Sequence, residues 1–187
     1  KRHGIDLSRS EFDLFNGRKA HDTLEAWKVK FKLSFDVDTE AKEKVKICDS
    51  LLKDVKLFGG VIEILKMLKE KKCKTAIATS AYASTLNLVV KKFKLKKYFD
   101  AYVTAEQVKV SKPNPQVYLT AAAKLRVKPS DCVVIEDAVL GVQAGKNAGM
   151  RVIAVTNSFP ADQLRAADII VGDLFSAQKF LYSEIEK

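Results

Sequence analysis

The chain is 187 residues long, 47% hydrophobic and 30% charged, enough for one full core and a small appended unit. No apolar run approaches the roughly 18 residues of a membrane span, so a spanning helix is excluded. Cys48, Cys73 and Cys132 lie far apart with no CxxC pair, which argues against a disulfide framework or a zinc site and fits a reducing cytoplasm.

The formal net charge of +10 could signal a nucleic-acid partner. The lysines, however, fall in runs such as KEKKCK (69–74) and KKFKLKKYF (91–99), which read as solvated helix ends and loops. No set of stacking aromatics interleaves them, so nucleic acid is not expected. A basic surface also attracts phosphorylated metabolites.

In chain order, Ser8-Arg9-Ser10-Glu11 reads as a capping box that opens a helix. Residues 29–35 then alternate, with Val29, Phe31 and Leu33 opposite Lys30 and Lys32. Residues 39–53 form a charged amphipathic helix with Val45, Cys48, Leu51 and Leu52 on one face and Asp38 or Thr39 as its cap. Residues 1–56 are therefore read as a small helical unit, with the crossing into a second unit, 57–187, near 55–60.

Beyond Phe58, apolar helical stripes alternate with short β-branched runs. Val61, Ile64, Leu65 and Leu68 share the i, i+3, i+4, i+7 spacing. Leu86, Val89, Val90 and Phe93 repeat it, as do Tyr118, Ala121, Ala122 and Leu125. Strands are expected over 75–79, 101–104, 132–135, 152–155 and 169–171, mostly apolar without alternation, as in strands covered on both faces. Pro115 sits at a helix start, Gly149 at a helix C-cap, and Pro129-Ser130-Asp131 turns into the next strand. The expected fold is α/β: a Rossmann-like, three-layer parallel sheet with a small helical unit appended.

Ligands of such sheets bind just beyond the carboxyl ends of the strands. Three strand ends carry suitable groups: Thr79 and Ser80 in AIATSA, Lys112 in SKPNP, and Glu136 and Asp137 in VVIEDAVLGVQAGKNAG. Hydroxyls and free N–H groups can hold phosphoryl oxygens, a fixed cation can neutralise them, and carboxylates can hold a hard metal. Taken singly, a Thr-Ser pair is a helix cap, a lysine before proline is surface, and a Glu-Asp pair is a turn. Their occurrence in order at successive strand ends favours phosphoryl transfer. His3 and His21 are isolated and receive no role.

These segments resemble motifs two, three and four of the haloacid-dehalogenase superfamily, in the branch of β-phosphoglucomutase and phosphoglycolate-type phosphatases. GIDLSRSEFDLFNGRKAHDTL is similar to part of that branch's helical cap. The resemblance implies that Thr79 and Ser80 bind phosphate and that Lys112 bridges nucleophile and phosphate. It further implies that Asp137 and Glu136 hold Mg2+, with Asp137 the direct ligand, and that Gly17, Arg18 and Lys19 face the substrate from the cap. The implied activity is a magnesium-dependent phosphatase acting on a small phosphorylated metabolite through an aspartyl phosphate. A sugar phosphomutase is the nearest alternative, but its basic cap positions appear here as Asn16 and Ala20. A catalytically dead binding module is a third reading, and dehalogenase chemistry would not need Glu136-Asp137.

The family's nucleophile is the first Asp of an Asp-x-Asp-Gly-Thr motif ending the central strand, and no such strand precedes the cap-like segment. Phe35-Asp36-Val37-Asp38-Thr39 imitates it without the glycine. It follows an alternating run, whereas a central strand is apolar on both faces. The chain as it stands is thus expected to lack its central nucleophile strand and to be inactive without it, the strand being supplied upstream of Lys1. Such a strand would contribute on the order of 10 kcal/mol by apolar burial.

Overall fold

The computed structural model describes residues 6–186, so that His3 lies outside the described residues. Helix α1 (Arg9–Asp13) begins at the capping box: the Glu11 N–H donates to Ser8 Oγ (3.2 Å) and the Ser8 N–H to the Glu11 carboxylate (3.1 Å). Helix α2 spans Ala20–Lys30 and α3 spans Val37–Leu51. The alternating run at 29–35 forms no strand. It is the end of α2 and a turn through Lys32, whose φ of 51° is left-handed.

The cap of α3 is Asp36, two residues before Asp38 and three before Thr39, the caps expected from the sequence. Its Oδ1 accepts from the Thr39 N–H at 2.8 Å and the Thr39 hydroxyl at 2.6 Å, so the imitation of a nucleophile motif is a helix N-cap. The buried face of α3 is also rotated from the expected one. Val37 and Ala41 are buried beside Ala20 and Leu24, with Trp27, Phe35 and Tyr82 packed on them, while Leu51 is exposed.

Five short parallel strands follow: β1 (Ala76–Ala78), β2 (Ala101–Val103), β3 (Val133–Glu136), β4 (Arg151–Val155) and β5 (Ile169–Val171). All five coincide with expected strands to within a residue or two, because uninterrupted apolar, β-branched runs of this length pack well only in a sheet covered on both faces. Helices α4 (Val61–Glu70), α5 (Ala83–Lys92), α6 (Gln116–Leu125), α7 (Val139–Asn147) and α8 (Leu174–Ile185) connect and cover them. Pro115 is the N-cap of α6 rather than its first residue, and Gly149 lies just past the C-cap of α7 with φ 70°. One face of the sheets packs Val103, Tyr118, Ala122, Val142 and Val152 into a core. The other packs Ile64, Met67, Ile153, Val171 and Leu181.

The strands form two sheets, β1-β2 and β3-β4-β5. Among the described residues β1 pairs only with β2, and β3 only with β4, all in parallel register. Between the free edges of β1 and β3 lies a cavity of about 580 Å³ lined by Ala76, Ala78, Val134, Ile135, Tyr118 and Ala121 among others. Ile135, in the middle of β3, is 36% exposed for that reason. The cavity has the position of a strand: apolar walls, two unpaired parallel edges and helices on either face. No helix among the described residues is long and apolar enough to cross a membrane.

Candidate active site

The carboxyl ends of β1 and β3 flank this slot and open on a second cavity of about 370 Å³. Thr79, Ser80, Lys112, Glu136 and Asp137 all line it, together with Gly17 and Arg18 from the helical unit above. Lys19 does not.

Thr79 extends the β1–β2 ladder, donating its N–H to the Val103 carbonyl at 2.9 Å. Its Oγ1 accepts from the Ala81 N–H at 3.0 Å, which leaves the hydroxyl hydrogen available to a ligand. The Ser80 hydroxyl is already engaged, donating to the Gly17 carbonyl at 2.5 Å. Gly17 takes φ 98°, a left-handed conformation that explains glycine at this turn. Next to it, the Lys19 N–H donates to Ser111 Oγ at 3.0 Å, and Lys19 Nζ to the Val108 and Lys109 carbonyls at 3.3 and 3.1 Å. Gly17 and Lys19 therefore latch the helical unit onto the sheet unit, and the Lys19 side chain points away from the cavity.

Lys112, at the cis Lys112–Pro113 bond, is only 6% exposed. Its ammonium pairs with Glu136 Oε1 and donates to the Tyr118 hydroxyl at 3.0 Å, and that hydroxyl donates to the same Glu136 oxygen at 2.7 Å. Glu136 Oε2 accepts from the N–H groups of Asp137 (2.9 Å) and Ala138 (3.1 Å). Burial pushes the Glu136 carboxyl up, but the Lys112 charge and hydrogen bond, the Tyr118 hydroxyl and the Ala138 N–H outweigh it and hold the group below its ordinary value. The same burial, with the Glu136 charge beside it, drives the Tyr118 phenol well above its usual range. A Cβ on Gly141 would lie 2.1 Å from Glu136 Oε1, so only glycine leaves room for this carboxylate.

Both Glu136 oxygens are thus taken up inside the protein. Asp137 differs: its Oδ2 accepts from the Ser158 hydroxyl at 2.6 Å, and its other oxygen has no hydrogen-bond partner among the described residues. No cluster of three or more His, Cys, Asp or Glu able to hold a metal occurs among the described residues. Magnesium, however, takes as few as one or two protein carboxylates, with water and substrate oxygens completing its shell. Asp137 fits that role, and Glu136 fits the part of an anchor for Lys112.

Two site residues escape the sequence reading. Tyr118 is read there as part of a core stripe, although a buried phenol needs a partner. Lys44 lines the cavity from α3. Its signal is positional, since it follows Val37 and Ala41 at helical spacing on the buried face of that helix.

A family model for haloacid dehalogenase-like hydrolases matches residues 1–155. The chain is 37% identical over 136 residues to a phosphorylated carbohydrates phosphatase of Thermotoga maritima, covering 72% of this chain and 62% of that protein. It is 36% identical over 155 residues to hexitol phosphatase B of Escherichia coli, covering 81% and 70% respectively. Among solved structures, a HAD hydrolase of family IA, variant 3, from Entamoeba histolytica superposes with TM-score 0.83 at 25% identity, covering 100% of this chain and 88% of that one. β-Phosphoglucomutase from Clostridium difficile superposes with TM-score 0.86 at 23% identity, covering 99% and 85%, a likeness of fold. With strand ends, fold and sequence in agreement, the chain belongs to the haloacid dehalogenase-like hydrolases, the family of enzymes to which these two similar phosphatases point.

Proposed function

We propose that the protein is a phosphatase of small phosphorylated carbohydrates, working in the cytoplasm. The observation that carries this reading is the convergence of Thr79, Lys112 and Asp137 on one cavity at the rim of the sheet. Thr79 supplies a hydroxyl donor to the phosphoryl oxygens, and Lys112, held by Glu136 and Tyr118, supplies a fixed cation beside the reacting group. Mg2+ bound through Asp137 would neutralise charge developing on the transferred phosphoryl group. Residues 1–56 act as a cap that closes the cavity over the substrate, with Gly17, Arg18 and Ser80 at the closure. Three unpaired cysteines, Cys48, Cys73 and Cys132, fit a reducing compartment.

The nucleophile is an aspartate on a strand seated between β1 and β3. The slot between those edges supports this, because it ends where Thr79, Lys112 and Asp137 meet. Attack of that carboxylate on phosphorus forms an aspartyl phosphate and releases the sugar alcohol, and water then cleaves the acyl phosphate to regenerate the carboxylate. Phosphate release from glucose 6-phosphate tests the reading in protein carrying an aspartate-bearing strand. Lys112→Met should lower kcat/KM by about 10²–10³-fold, and activity indifferent to that change would refute it.

A further inference from the structure

Asp137 stands one residue past the end of β3, and the pairing of Glu136 with Ala154 sets it level with the end of β4. The loop leaving β4 therefore runs beside it. Thr156 keeps the start of that loop in the sheet by donating its N–H to the Val171 carbonyl at 3.0 Å, and Phe159, 4% exposed, anchors it in the core. Ser158 lies between these two fixed points, and its hydroxyl donates to Asp137 Oδ2 at 2.6 Å. A hydroxyl that donates to a carboxylate at this distance makes a charge-assisted bond, stronger than one between neutral groups.

Asp137 is thereby held at both ends. Its backbone N–H donates to Glu136 Oε2 at 2.9 Å, and Glu136 is itself fixed by Lys112 and Tyr118. Ser158 engages Oδ2, which leaves one carboxylate oxygen for a ligand. Coordination chemistry makes that difference count. Calcium accepts a carboxylate through one or both oxygens and adapts to a flexible shell, whereas magnesium demands near-ideal octahedral geometry and keeps several waters. A carboxylate with one oxygen engaged and no freedom to swing suits magnesium and denies calcium its second bond.

We propose that Ser158 is a positioning residue for the metal: by holding Asp137 Oδ2 it limits the carboxylate to coordination through one oxygen and so selects Mg2+ over Ca2+. The inference rests on the reading of Asp137 as the magnesium ligand and goes beyond it, since it assigns the choice of ion to a side chain that does not line the cavity. Without the hydroxyl, Asp137 regains both its rotation and its second oxygen. That change disfavours the ion that needs a rigid site and admits the one that adapts.

Calorimetric titration of magnesium chloride and of calcium chloride into substrate-free protein carrying an aspartate-bearing strand tests it. Ser158→Ala should weaken Mg2+ binding by about 10–100-fold, the cost of losing a hydrogen bond that orients a metal ligand. Ca2+ binding should stay within about twofold or tighten, so that the preference for Mg2+ falls at least about fivefold. Ser158→Thr keeps the hydroxyl and should keep the preference. Unchanged Mg2+ binding in Ser158→Ala overturns the proposal, as does an equal loss of both ions or a Ser158→Thr protein that loses Mg2+ as Ser158→Ala does. A metal-free Ser158→Ala protein that unfolds more than about 5 °C below the wild type also overturns it, because the hydroxyl then supports the fold rather than the ligand. Mg2+ binding that Asp137→Asn leaves intact would instead bring down the reading of Asp137 as the magnesium ligand.

Discussion

Glu136 keeps its charge with only 12% of its side chain exposed, because Lys112, Tyr118 and two backbone N–H groups share its two oxygens. Removing one member of such a buried pair strands the other. Lys112→Met should therefore destabilise the fold by about 3–5 kcal/mol, and adding Glu136→Gln should recover part of the loss, as measured by urea unfolding. Since the folded carboxyl titrates below its ordinary 4.5, Glu136 contributes its full stabilisation above that pH, and the contribution disappears as pH falls through the depressed folded value. A wild type that loses stability on acidification no faster than Glu136→Gln would contradict this. At this scale the sequence points to Thr79, Lys112 and Asp137 by their place at strand ends, and the structure brings them to one cavity. The sequence cannot separate the environments of Glu136 and Asp137, because that division depends on the N–H groups of 137–138 folding back onto one carboxylate.

Helix α7 illustrates how an element serves the site. Gly141 faces Glu136 so closely that Gly141→Ala must displace a carboxylate held by four hydrogen bonds. A loss of about 1–3 kcal/mol is expected in thermal unfolding despite the better helix propensity of alanine. In β4, Ile153 is fully buried against α4 and α8 residues, and Ile153→Ala should cost about 2–5 kcal/mol in the same measurement. The strands were legible because each is a continuous apolar run between turn residues. The helical unit was less so: the alternation at 29–35 mimics a strand, yet α2 runs through Val29 and Lys30. Local patterning there is overruled by the packing of Leu24, Val37 and Ala41 against Trp27 and Tyr82. The same packing turns α3 so that Lys44 and Cys48, not Leu51, line the cavity.

Across the molecule, the dominant feature is a parallel sheet divided in two, β2-β1 and β3-β4-β5, around a slot of about 580 Å³. Amides of β1 and β3 that face the slot should exchange with solvent faster than those of β4, which is paired on both sides, and a seated strand should protect them. Motif order in the sequence shows no nucleophile motif ahead of the cap-like segment, but the shape left between β1 and β3 among the described residues emerges only from three-dimensional packing. Above the slot's end, the latch of Gly17, Lys19, Ser80 and Ser111 holds the helical unit against the sheet at the rim of the candidate site. The most direct test is phosphate release from glucose 6-phosphate by protein with an aspartate-bearing strand seated in the slot, assayed with Mg2+ and after chelation in wild type and Asp137→Asn. Release should fall by about 10²-fold or more on either chelation or substitution. Hydrolysis that continues undiminished through both would contradict the account.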